Sequence, residues 1–205
     1  MASISINQRN RGQLREFLYN LALIAPGKGE AKSSISGSNI FVQRVDHTLY
    51  GWATDDIISV RQTLNLPDDP AYSEVIGIIT TDQAKAFRNE LTQLSEKDKF
   101  LFSVDSVYDY NFWWDHVNAS INGSVKGRLL DPTLALSPDR LRKFGLLEPR
   151  GKYPLDLERV QWNHNDIVRW KYGPDTNGVL APLDRDILRK QYGSEILWGD
   201  EWKEN

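Results

Sequence analysis

Apolar and polar positions along the chain repeat one short pattern. In Glu74–Leu94, EVIGIITTDQAKAFRNELTQL, a β-branched run at Val75–Ile79 leads through a polar cap into a helical stripe. Thr80 with Gln83 three residues on has the form of a capping box. Ala84, Phe87, Leu91 and Leu94 then recur at helical spacing. The same order opens the chain: Ser3–Ile6 is strand-like, Asn10 with Gln13 can cap, and Leu14, Phe17, Leu18 and Leu21 form the stripe. It returns at Leu134–Leu136, where Ser137 caps and Leu141 and Phe144 begin a stripe. Pro138 falls at the first helical position, where its missing N–H costs nothing. Three copies of strand, cap and amphipathic helix imply a repeated α+β fold with each helix on an antiparallel sheet.

Between these units the alternation is that of strands. Asn39–Val45, Thr48–Ala53 and Ile57–Leu66 follow a loop at Ala25–Gly37, with Thr54-Asp55-Asp56 as a tight polar turn. Leu66–Tyr72 is a connector by its prolines and acids. Lys99–Val104 reads as a strand, and Tyr108–Trp114 is aromatic and alternating. Val117–Ile121 and Ser124–Leu130 flank Asn122-Gly123, a strong hairpin signal. After a boundary near Leu129–Pro132 come a loop at Glu148–Tyr153 and strands at Leu155–Trp162 and Ile167–Tyr172. Asn177-Gly178 is expected to turn the chain into Val179–Leu183, and Asp184–Asn205 reads as a charged tail with Trp198 and Trp202.

With 205 residues, 40% apolar and 26% charged, the chain can bury a substantial core. No apolar run approaches the roughly 20 residues of a membrane span, and the first residues lack the basic-then-apolar order of a signal peptide. The expectation is a cytoplasmic protein without membrane partners. Cysteine is absent, which removes disulfides and thiolate chemistry. A net charge of −3 argues against coating nucleic acid with the whole surface, but allows one basic face.

Candidate chemistry is sparse. There is no phosphate-binding Gly-rich loop, no nucleophile elbow and no His-Glu-x-x-His. His47, His116 and His164 are scattered, so no cofactor or metal is expected. Asp55-Asp56 and Asp68-Asp69 fit turn acids or, as an alternative, a divalent-cation site. Tyr108, Tyr110, Phe112, Trp113 and Trp114 fit a buried strand, a subunit edge or a base-stacking platform. The helices carry the more telling residues: Arg9, Arg11 and Arg15 on the first, Lys85 and Arg88 on the second, Arg140, Arg142 and Lys143 on the third. If they line one surface, that surface binds phosphates without reading bases.

Arg15-Glu16-Phe17-Leu18 followed by LYGWATDDIISVR at Leu49–Arg61 resembles the opening of the bacterial-type DNA polymerase sliding clamps, whose stretch there reads L-x-L-x-A-T-D-x-E-I-x-V-R. VLAPL at Val179–Leu183 is similar to that family's closing V-V-M-P-M strand. The resemblance implies repeated β-α-β-β-β half-units with helices on one face of antiparallel sheets. It implies a clamp-like domain over residues 1–130, its second half-unit extended by the aromatic hairpin, a partial second clamp-like domain over 131–184, and a tail over 185–205. Function would then be non-enzymatic: a replication processivity factor that encircles duplex DNA and tethers a polymerase. Arg11, Arg15, Lys85, Arg88, Arg140 and Lys143 would touch phosphates, and Leu155, Leu157, Leu180, Pro182 and Leu183 would form the pocket for a polymerase or another clamp-binding protein. A chain of this length would close a ring as a homotrimer, in a bacterial cytoplasm or an infected host cell. Two alternatives remain open: a non-ring clamp-like module that binds polymerase or transcription machinery, and a metal-dependent nuclease using Asp55 and Asp56.

Overall fold

The computed structural model describes residues 2–26, 39–66, 75–95, 98, 100–106, 134–162 and 165–192. Their order is β1 (Ala2–Ile6), a 3-10 turn (Gln8–Asn10), α1 (Arg11–Ile24), β2 (Asn39–Val45), β3 (Thr48–Thr54), β4 (Ile58–Asn65), β5 (Val75–Thr80), α2 (Thr81–Gln93), β6 (Phe100–Ser106), α3 (Pro138–Phe144), β7 (Leu155–Trp162), β8 (Asn165–Tyr172), β9 (Thr176–Leu180) and α4 (Arg185–Tyr192). The strands form one sheet in the order β1-β6-β5-β2-β3-β4-β9-β8-β7, every neighbouring pair antiparallel. The expected α+β architecture is present.

The alternation of each strand decides which face carries helices. Leu49 and Ala53 of β3 share a face with Val60 and Leu64 of β4, while Tyr50 and Trp52 point to the other. Leu14, Phe17, Leu18 and Leu21 of α1 are fully buried on the first face, a transfer worth about 1.5–3 kcal/mol for each side chain. Ala84 and Leu91 of α2 and Phe144 of α3 join the same cluster, so all three helices lie on one side of the sheet. Phe144 packs edge-on to Trp170 with ring centroids 5.0 Å apart. The sheet passes from β4 to β9, and Val168, Trp170 and Leu180 share the core of the N-terminal unit. One sheet and one core therefore cross residue 131. On the opposite face Phe41 and Trp52 form a small second cluster with Tyr50, Ile76, Ile78 and Val179.

The capping box of α2 is complete: Gln83 N–H donates to Thr80 Oγ1 at 3.2 Å, and Thr80 N–H to Gln83 Oε1 at 2.6 Å. Asn10 does not cap α1 with its side chain. The cap moves to Asn7, whose Oδ1 accepts from Asn10 N–H at 3.1 Å, because a 3-10 turn precedes the helix. Leu134–Leu136 is irregular rather than a strand, although Ala135 accepts a backbone bond from Leu183 N–H at 2.7 Å. Asn177-Gly178 is not a turn. Residues 173–175 make it, with Gly173 at φ 68°, and Gly178 sits inside β9. A Cβ there would stand 1.8 Å from the Ser59 carbonyl oxygen, so close strand approach requires glycine. The expected tail begins with helix α4, capped by Asp184 Oδ1 accepting from Asp186 N–H at 2.9 Å.

Several expectations lie outside the described residues: most of the Ala25–Gly37 loop, the connector after Leu66, Asp68-Asp69, His116, His164, Tyr108–Trp114, the Asn122-Gly123 hairpin and the tail beyond Tyr192.

Candidate nucleic-acid interface and apolar cleft

Helices α1 and α2 lie side by side. The buried stripe of α1 turns Arg15 and Tyr19 outward, one helical turn apart. Lys85 and Arg88 stand one turn apart on the outer side of α2. The Arg88 guanidinium lies over the Tyr19 ring, 4.5 Å from its centroid, a cation–π contact between the two helices. A fourth cation enters from the loop before β7: Arg150 Nη2 donates to Tyr19 Oη at 3.2 Å, and its Nε stands 3.4 Å from Glu148 Oε1. The tyrosine bond, more than the carboxylate of Glu148, holds the Arg150 guanidinium above its ordinary pKa.

Buried Asn20 fixes that loop. Its Oδ1 accepts from Glu148 N–H at 2.8 Å, and its Nδ2 donates to Glu148 O at 2.9 Å and to Gln62 Oε1 at 3.0 Å. Tyr172 Oη also donates to Pro149 O at 2.5 Å. Arg88 and Arg150 thus meet at Tyr19, with Arg15 exposed one turn before it on α1 and Lys85 exposed one turn before Arg88 on α2, in a chain whose net charge is −3. Concentrating like charge while the rest of the molecule is acidic makes a local positive field suited to a polyanion.

Of the six cations expected on a common surface, Arg15, Lys85 and Arg88 lie on the outward sides of the neighbouring helices α1 and α2, and the other three are engaged internally. Arg11 is buried, donating from Nη1 to Ser95 O at 2.8 Å and from Nη2 to Asp98 O. It ties the start of α1 to the segment after α2. Arg140 Nη1 and Lys143 Nζ both reach Asp55 Oδ2, at 3.0 and 2.9 Å, with only 19% and 17% of their side chains exposed. Phe144 explains this: Arg140 precedes it by four residues, so the buried side of α3 carries Arg140 inward. Arg150 was not among the expected cations because nothing in its own loop is periodic. The signal lay in Asn20, a polar residue beside the apolar stripe of α1.

Asp55 belongs to that internal lock. Its side chain is 2% exposed, and Oδ1 accepts from the N–H groups of Ile57 and Ile58 at 3.1 and 2.9 Å. Asp56 adopts φ 71°, and its N–H donates to Thr54 Oγ1 at 3.0 Å. The acids of the A-T-D stretch build the β3–β4 turn. Both Asp55 oxygens are engaged by donors, so the structure gives this acid a part in the turn and in the contact with α3. Among the described residues no group of three or more His, Asp or Glu could hold a metal.

The expected partner pocket is divided. Pro182 and Leu183 line a cleft of about 540 Å³ with Leu134, Trp162 and Ile167, and α4 closes one side with Arg185, Asp186 and Arg189. Leu180 is fully buried in the core, because β9 pairs on both sides with β4 and β8. Leu155 and Leu157 are exposed near the start of β7, while Arg159 and Trp162, further along that strand, reach the cleft.

No protein-family model and no curated protein matches the chain. Solved structures do. The beta chain of DNA polymerase III from Streptococcus pneumoniae superposes with a TM-score of 0.57 at 10% identity, over 90% of this chain and 65% of that one. The sliding clamp (DNA polymerase III subunit beta) of Pseudomonas aeruginosa gives 0.55 at 12%, over 89% and 65%. The Helicobacter pylori beta clamp gives 0.53 at 14%, over 89% and 65%. This chain thus spans 65% of the length of those clamps. Among the described residues no helix is long and apolar enough to cross a membrane. Among the described residues a nine-stranded antiparallel sheet with α1, α2 and α3 on one face, superposing at these identities, shows that the chain has the fold of the bacterial DNA polymerase sliding clamps.

Proposed function

We propose that this chain is a sliding-clamp-like replication processivity factor that contacts duplex DNA through the helix face of Arg15, Lys85 and Arg88 and tethers a polymerase. The observation that carries the reading is the placement of these cations on the outward sides of the neighbouring helices α1 and α2, with Arg88 seated over the Tyr19 ring. Such contacts neutralise phosphates without selecting bases, so the protein can slide. It works without catalysis, as a homotrimeric ring in a bacterial cytoplasm or an infected host cell. The cleft beside Pro182 and Leu183 offers a seat for an apolar segment of the polymerase or another partner.

The test is fluorescence anisotropy with labelled duplexes of two unrelated sequences, titrated at several salt concentrations. Each of Arg15→Ala, Lys85→Ala and Arg88→Ala is expected to weaken both duplexes alike and to lower the salt slope by about 0.9. Binding indifferent to salt, or losses confined to one sequence, would overturn the reading. Light scattering then separates a trimer from a monomer, and a monomer that still binds polymerase would mark a non-ring clamp-like module.

A further inference from the structure

We propose that Tyr19 is the positioning residue of the DNA-contacting surface, and that Arg150, which it holds beside Arg88, is a further phosphate contact. This rests on the reading of α1 and α2 as the DNA face. Two cations approach one side chain by different chemistry: Arg88 on the ring at 4.5 Å, and Arg150 on the hydroxyl at 3.2 Å. They come from different parts of the chain, α2 and the loop before β7. Glu148, whose Oε1 stands 3.4 Å from Arg150 Nε, holds Arg150 from its own loop, whereas Tyr19 is the side chain that Arg88 and Arg150 share. Among the described residues Arg88 Nε is buried with no hydrogen-bond partner, as expected for a guanidinium seated on a ring rather than on an acceptor. The Arg150 side chain is 57% exposed, so it remains open to an incoming anion while Tyr19 fixes its position. Asn20, one residue along α1, clamps Glu148 through both backbone groups, which pins the loop that delivers Arg150. Pre-orienting two long side chains removes rotamer entropy that each phosphate contact would otherwise have to overcome.

Tyr19 variants of the full chain separate the two arms. Tyr19→Phe keeps the ring under Arg88 and removes the acceptor for Arg150; Tyr19→Leu removes both. In anisotropy titrations with a mixed-sequence duplex, the salt slope should fall by about 0.9 for Tyr19→Phe and by about twice that for Tyr19→Leu. In an Arg88→Gln/Arg150→Gln background, Tyr19→Leu should cause no further change. If Tyr19→Leu fails to fold, judged by its thermal midpoint, Tyr19→Phe and Arg150→Gln carry the test: each single variant and their combination should show the same slope. Wild-type slopes in the Tyr19 variants, or an additive loss in the combination, overturn the inference. Should Arg15→Ala and Lys85→Ala weaken binding while Tyr19 variants do not, the inference falls alone. A wild-type chain without salt-dependent duplex binding removes it together with the DNA-contacting reading.

Discussion

Replacing Asp55 should loosen the junction between the N-terminal unit and the segment that follows it. One carboxylate there receives four donors: Lys143 Nζ at 2.9 Å and Arg140 Nη1 at 3.0 Å on Oδ2, and the N–H groups of Ile57 and Ile58 on Oδ1. Asp55→Ala strips all four. Each lost backbone bond leaves a buried or half-buried donor unsatisfied, at roughly 1 kcal/mol apiece. Breaking a buried ion pair costs about 3–5 kcal/mol, but Arg140 and Lys143 keep partial access to water, so roughly 1–2 kcal/mol is the share expected from the two together. The sum is about 3–4 kcal/mol for Asp55→Ala. Asp55→Asn retains an acceptor for the turn and loses only the charge, so about 1–2 kcal/mol is expected. Urea unfolding followed by tryptophan fluorescence measures both. A double-mutant cycle of Asp55→Asn with Lys143→Met should show coupling, because the two side chains touch. An alanine variant within about 0.5 kcal/mol of wild type, or equal losses for Asn and Ala, would refute the reasoning.

Gly178→Ala should destabilise by about 3 kcal/mol or more, since its Cβ would lie 1.8 Å from the Ser59 carbonyl oxygen with β4 and β9 already paired; a near-native urea midpoint would contradict this. The Asp98 carboxyl is held below the ordinary carboxylate range, first by the Ser95 hydroxyl and then by the Ser95 N–H, both at 2.8 Å. A lowered folded-state pKa gives a contribution complete above the unfolded value and lost as pH falls through the folded one. Base-corrected amide exchange at Ser95 should therefore quicken only in acid below the usual Asp range, and Ser95→Ala should shift that onset upward. Leu183→Asp should leave the thermal midpoint nearly unchanged, as Leu183 is half-buried at the cleft. It should weaken binding of a polymerase-derived peptide at least tenfold, about 1.4 kcal/mol, whereas unchanged affinity would detach the cleft from partner binding.

Local grammar was legible in the chain itself. The Thr80–Gln83 box, the Leu14–Leu21 stripe, and strands Asn39–Val45 and Leu155–Trp162 appear where the pattern placed them, because capping and period are contacts between near neighbours in sequence. At Asn10 the pattern gave way to a local 3-10 turn; at Gly178 and at three of the cations a distant group had intervened. Asn177-Gly178 has turn chemistry, yet the carbonyl of Ser59 across the sheet makes Gly178 a strand residue. Arg11, Arg140 and Lys143 are cations on helices like Arg15 and Lys85. Only the folded chain sets Ser95, Asp98 and Asp55 beside the first three and leaves the last two facing water. The type of each element was thus written in residues a few positions apart. The membership of the candidate surface, including Arg150 held by Tyr19 across 131 residues of sequence, was decided by tertiary contacts, because a side chain's charge fixes what it can bind but only its neighbours in space determine whether it is still available.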